Sequence, residues 1–225
     1  MNTNMKHQTF IISSDKKYIL QHYEKYIKFW DNCKILYVSN QNSHGLKKLK
    51  NVIICKDLHF NIEDKNDILK NYTAFFAVVK NNLIDDDTTH ISFLQTDNTY
   101  EDDVQFYRNL LFEKLDSDVL VTNTMYISKF NNRPEYLFFL TKSISESRIE
   151  SNIKTKDKIW CIGDQFFMKK DIFLEYFEWL DKTLDVTSWG YDSRAWYSIQ
   201  RTLYIYCIIK KLKWDVIKQI KKTNF

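Results

Sequence analysis

The residues with the clearest chemistry stand at Gln95-Thr96-Asp97-Asn98, directly after the run His90-Ile91-Ser92-Phe93-Leu94. An apolar run of that length reads as a buried strand. It delivers a carboxylate with polar neighbours to its own carboxyl end. One carboxylate on a rigid strand end can hold a hard divalent cation, Mn2+ or Mg2+, when a diphosphate supplies further oxygens. Asp97-Asn98 also fits a plain turn after a strand, because both residue types favour turns. Two other strand ends carry polar side chains: Ser13-Ser14-Asp15 after Thr9-Phe10-Ile11-Ile12, and Ser39-Asn40 after Lys34-Ile35-Leu36-Tyr37-Val38.

The elements that must position these residues alternate along the first half. Strands are expected at residues 9–12, 34–39, 51–55 and 90–95. Between them, residues 16–30 carry Ile19, Leu20, Tyr23, Tyr26, Ile27 and Trp30 at helical spacing, and residues 67–81 carry Ile68, Leu69, Tyr72, Phe75, Phe76 and Val79 on one face. This alternation predicts an α/β fold with a mostly parallel sheet covered on both faces. Ligands of such sheets bind beyond the carboxyl ends of the strands. In the second half, residues 118–123 and 159–168 read as strands, and residues 136–141 as a further candidate. Residues 142–158 read as an exposed loop or flap, and residues 170–184 as a helix. Gly163 inside the later strand marks a bulge or a close backbone approach. Residues 192–222 read as one or two more helices, giving a helical C-terminus. No Pro/Gly/Ser-rich linker interrupts the chain, so a single domain over residues 1–225 is expected.

Composition narrows the function classes. The 225 residues are 44% hydrophobic and 28% charged, a globular balance. Gly45, Gly163 and Gly190 are the only glycines and lie far apart, which excludes both a Rossmann dinucleotide fingerprint and a P-loop. The net charge is +4. Lys210, Lys211, Lys213, Lys218, Lys221 and Lys222 against Asp215 put +5 in the last sixteen residues, and the remainder sums to −1. A basic body for nucleic acid is therefore missing, and no nucleic-acid partner is expected. Cys33, Cys55, Cys161 and Cys207 show no CxxC pairing and no His at zinc spacing, so they read as buried free thiols of a reducing compartment. With neither a signal peptide nor an apolar run near the roughly 18 residues of a span, the expected location is cytoplasmic, soluble or peripheral. Ile205, Ile209, Leu212, Val216 and Ile220 form an apolar stripe opposite the lysines. It suits a closing helix packed on the domain, or a basic amphipathic helix contacting an anionic membrane or a protein partner.

Taken together, Gln95-Thr96-Asp97 after the fourth strand, the opening strand with Ser13-Ser14-Asp15, and the block Trp160-Cys161-Ile162-Gly163-Asp164-Gln165-Phe166-Phe167-Met168 resemble a GT-A type glycosyltransferase. The end, Tyr191-Asp192-Ser193-Arg194 through Arg201-Thr202-Leu203-Tyr204-Ile205-Tyr206, is similar to the closing helix of small bacterial and giant-virus enzymes of that kind. The family carries an aspartate-any-aspartate motif at this place. Here Gln95 replaces the first Asp and Asp97 keeps the second.

The resemblance implies transfer of a hexose from a nucleotide-diphosphate sugar, UDP-linked rather than GDP-linked, to a glycan or other hydroxyl acceptor. It implies that Ser13, Ser14 and Asp15 hold the nucleoside, and that Gln95, Thr96, Asp97, Asn98 and Arg194 face the diphosphate. Asp97 would be the metal ligand, with Mn2+ or Mg2+ as cofactor. Asp164, after Gly163 at what reads as a strand end, is the first candidate general base, and Asp192 the second. Asp192 also suits a helix N-cap. Two other functions fit parts of the pattern. One is a non-catalytic transferase-fold binding module, in keeping with Gln95. The other is a metal-dependent nuclease using Asp97 or Asp102-Asp103.

Overall fold

The computed structural model describes residues 5–30, 32–62, 71–96, 116–126, 159–184 and 195–216. They build one seven-stranded sheet. Its strands are β1 (His7–Ser13), β2 (Cys33–Tyr37), β3 (Val52–Ile54), β4 (His90–Gln95), β5 (Val119–Tyr126), β6 (Ile159–Lys169) and β7 (Trp214–Val216), in the order β3-β2-β1-β4-β6-β5-β7. The helices are α1 (Lys16–Phe29), α2 (Asn71–Lys80), α3 (Lys170–Leu184) and α4 (Ala195–Lys210). The first four strands are mutually parallel, as their alternation with helices predicts. β6 alone runs against its neighbours β4 and β5, and β7 pairs parallel with β5.

Alternation along each strand sorts its residues between two apolar layers. Ile11, Ile35, Leu94, Leu120 and Phe167 join Ile19 and Tyr26 of α1 and its C-cap residue Trp30 on one face. Phe10, Ile12, Leu36, Phe93, Val119, Val121 and Phe166 join α2, α3 and α4 on the other. Phe93 centres the second layer. Its ring lies 4.7 Å from Phe75, 5.1 Å from Phe10 and from Phe173, and 5.4 Å from Phe166. Fully burying one such side chain contributes about 1.5–3 kcal/mol, so β4, which leads to Asp97, is anchored from both neighbouring strands and two helices.

The amino ends of the strands are tied by Asp85. Its carboxylate accepts from Lys34 Nζ at 2.6 Å and Asn32 Nδ2 at 2.8 Å. Partial burial works to raise the acid's pKa, but the hydrogen bonds from Lys34 and Asn32, with the Lys34 charge, hold it below the ordinary carboxylate value.

The C-terminal expectation needs correction. α4 stops at Lys210, and the chain turns into strand β7 rather than continuing as a helix. Lys211 takes φ 55°, Leu212 N donates to Cys207 O at 2.8 Å, and Lys211 N donates to Ile208 O at 3.2 Å. This paired pattern is a Schellman stop. The stripe of Ile205, Ile209, Leu212 and Val216 is therefore split between helix, turn and strand, and the basic amphipathic helix expected to reach a membrane or partner does not form over residues 211–216. Lys211→Gly tests the turn. It is expected to leave stability unchanged or raise it by up to about 1 kcal/mol, because Gly meets no steric cost at positive φ. In a continuing helix the same change would cost roughly 0.5–1 kcal/mol. Denaturant unfolding decides the sign.

Candidate functional site

The carboxyl ends of β1 and β4 lie side by side, with Ile12 in register with Gln95. One residue further on, Thr96 Oγ1 donates to Ser13 Oγ at 3.0 Å. Both side chains are buried, Ser13 to 2% exposure and Thr96 to 7%. Ser13 Oγ also accepts from the Asp15 amide and donates to the Asp15 carbonyl, each at 3.2 Å. The hydroxyl thus closes the tight turn that leads into α1. Ser14 is exposed at the head of that turn.

Asp15 proves to be the N-cap of α1. Its Oδ1 accepts from Lys17 N at 2.8 Å and Tyr18 N at 3.1 Å. Capping of this kind satisfies helix amides that would otherwise lack partners. Ser39 closes a turn in the same way, accepting from Gln41 N at 3.1 Å.

Asp164 is not at a strand end, as its position after Gly163 suggests, but within β6. The β5–β6 ladder pairs Val121 with Phe166 and Asn123 with Ile162. Thr122 alone therefore faces Gly163, Asp164 and Gln165. This is the bulge that Gly163 signals, and a bulge re-aims side chains and bends its strand. Its location follows from the other ladder. β4 pairs with β6 up to Phe93 opposite Phe166 and then runs on to Gln95. Because β6 is antiparallel, Asp164, two residues before Phe166, lies beyond the Phe93–Phe166 pair, on the side toward Gln95. The reversed strand thus brings Asp164 to the same edge of the sheet as Ser13, Gln95 and Thr96.

Asp97, Asn98, Asp192 and Arg194 lie outside the described residues, as do residues 136–141 and the loop at 142–158. Among the described residues, no three His, Cys, Asp or Glu side chains gather to hold a metal ion. The described donors at this edge are the hydroxyls of Ser13, Ser14 and Thr96, the Gln95 amide, Asp15, whose carboxylate caps α1, and Asp164 on β6. A hard cation held by protein oxygens wants more carboxylate than that, so the described residues do not by themselves fit Mn2+ or Mg2+. The cation assignment rests on Asp97.

Two residues of this edge escape motif reading. Tyr37 is the register partner of Ser13 and fully buried, and its hydroxyl has no hydrogen-bond partner among the described residues. Thr122, opposite the bulge, is 3% exposed and its hydroxyl likewise lacks a partner among the described residues. Tyr37 ends β2, whereas Thr122 lies within β5. Only the pairing of the strands shows what they face.

No family model matches this sequence, and no curated protein matches it. Among solved structures, the apo structure of WbbM, a bifunctional glycosyltransferase, superposes with a TM-score of 0.64 at 15% identity. The match covers 95% of this chain and 45% of that one, so this chain spans less than half the length of its structural relative. The fold is that of a glycosyltransferase, a mostly parallel, Rossmann-like sheet flanked by helices. Among the described residues, no helix is long and apolar enough to cross a membrane.

Proposed function

We propose that the chain is a glycosyltransferase that moves a hexose from a nucleotide-diphosphate sugar, UDP-linked rather than GDP-linked, to a hydroxyl of a glycan or similar acceptor. The observation that carries this reading is the convergence of three strands on one edge. The ends of β1 and β4 are joined through Ser13 and Thr96, and the β6 bulge with Asp164 follows the Phe93–Phe166 pair on the side toward Gln95. The glycosyltransferase fold of the WbbM structure supports it.

In this reading the nucleoside lies over the Ser13–Asp15 turn, and the diphosphate lies beyond Thr96, toward Asp97, Asn98 and Arg194. A cation bound at Asp97 would neutralise diphosphate charge as it builds up on the leaving group. Asp164 accepts the proton of the acceptor hydroxyl while that oxygen bonds to the anomeric carbon. The bond from that carbon to the diphosphate oxygen breaks, and the nucleoside diphosphate leaves with the electron pair. Asp192 is the second candidate for the proton acceptor.

A non-catalytic binding module of the same fold is the second reading. It is favoured by Gln95, which puts an amide where the related motif has a carboxylate. Thermal unfolding with UDP- and GDP-linked sugars, with and without Mn2+, tests donor binding. A ligand at 100 times its Kd raises stability by about 2.7 kcal/mol. UDP-sugar with Mn2+ is expected to raise the melting temperature. No shift with any nucleotide would contradict the transferase reading, and a shift without sugar transfer to any acceptor would favour the module.

A further inference from the structure

Ser13 and Thr96 have the residue types expected of direct ligand contacts. Their burial and their bond to each other assign them a different task. The main-chain register between β1 and β4 runs from His7 with His90 to Ile12 with Gln95 and goes no further. Past that point the chains part. β1 enters the Ser14-Asp15 turn and α1, and β4 passes through Thr96 into Asp97. The Thr96–Ser13 hydroxyl bond, between residues 83 apart in sequence, extends the coupling one residue beyond the ladder.

Ser13 Oγ uses its own proton toward the Asp15 carbonyl and accepts from both the Asp15 amide and the Thr96 hydroxyl. One oxygen therefore links the turn that caps α1 to the residue preceding Asp97. With one donor and two acceptor sites, that hydroxyl has no capacity left for a ligand. At 2% and 7% exposure, neither side chain meets a bound molecule without moving.

We propose that Ser13 and Thr96 are positioning residues: their buried hydroxyl bond sets the point and direction at which the chain leaves β4 toward Asp97, relative to the Ser14-Asp15 turn. This rests on the transferase reading for its consequence, since Asp97 is there the group that meets the cation and diphosphate. The brace itself does not depend on that reading. Neither residue is a nucleotide contact. Each acts through the residues that follow it. Thr96→Val keeps the shape and removes the donor, which leaves a buried oxygen of Ser13 short of a partner. Ser13→Ala removes the acceptor.

Two measurements test this. In nuclear magnetic resonance spectra of the full chain without ligand, Ser13→Ala is expected to shift the Asp97 amide, and Thr96→Val to shift the Asp15 amide, while Thr96→Ser returns the Asp15 signal toward wild type. Shifts confined to sequence neighbours of each mutation would overturn the brace. In calorimetry with UDP and Mn2+, Thr96→Val is expected to weaken binding about 5–30-fold, the equivalent of one broken buried hydrogen bond. Without Mn2+ the same change should leave the residual UDP affinity unchanged, because Thr96 acts through Asp97 and Asp97 acts through the cation. An equal loss with and without Mn2+ would make Thr96 a direct contact and overturn its positioning role. Wild-type protein that binds no nucleotide diphosphate would sink the transferase reading, and the resonance shifts would still decide the brace.

Discussion

Asp164→Asn is expected to leave the donor bound while cutting sugar transfer by roughly 10²–10⁴-fold, the usual range for losing general-base help. The amide keeps the size of the carboxylate and removes its basicity. The loss should therefore appear in turnover and not in donor affinity. The position of Asp164 makes this a demanding test. It stands in a bulge of the one reversed strand, beyond the Phe93–Phe166 pair on the side toward the end of β4. Substitution there risks the ladder as well as the chemistry, so the variant's melting temperature must be measured beside its rate. A stable, fully active Asp164→Asn would remove the residue from the reaction. If Asp192→Asn were then inactive, the base would be Asp192. A variant that loses only stability would show that the bulge is architectural.

The second large effect is expected at Asp97. Asp97→Ala should abolish metal-stimulated nucleotide binding, whereas Gln95→Ala should weaken it less. A carboxylate stabilises a divalent cation with a full charge, and an amide offers only a dipole. Gln95 is half-buried and held in register with Ile12, so some of its loss would come through the strand end. Calorimetry with Mn2+ and UDP separates the two variants. Equal binding by wild type and Asp97→Ala would refute a metal role for this residue.

Much of the fold is legible along the chain because each strand and helix of its first half carries its own apolar pattern. Phe10, Ile11 and Ile12 are buried alternately against opposite layers, so β1 reads as an unbroken apolar run. The helix expected at residues 170–184 forms as Lys170–Leu184, with Phe173, Phe177 and Leu180 buried. What escapes is non-local. The stripe from Ile205 to Val216 looks like one helix until Lys211 adopts positive φ and β7 pairs with β5, 95 residues away in sequence where Trp214 meets Val119. Gly163 marks the bulge, but nothing near Asp164 announces that β6 runs antiparallel between two strands of the other direction and continues past it.

The site is legible to the same degree. Strand-end reasoning finds Ser13, Asp15 and Thr96, but residue type does not separate a ligand contact from a helix cap or a buried brace. Asp preceding Lys16 and Lys17 is as good an N-cap as a ribose contact, and the two bonds from Lys17 and Tyr18 show the cap. Ser13 and Thr96 are polar residues next to a predicted cleft, and only their exposure and their shared bond reveal that they face each other.

The measurement that bears most directly on the central claim is a crystal structure of the chain with UDP and Mn2+ bound. The account predicts the diphosphate beyond the carboxyl ends of β1 and β4, beside the segment that follows Thr96 and within reach of the β6 bulge. Nucleotide bound instead at the opposite edge of the sheet, beside His7 and His90, would contradict it.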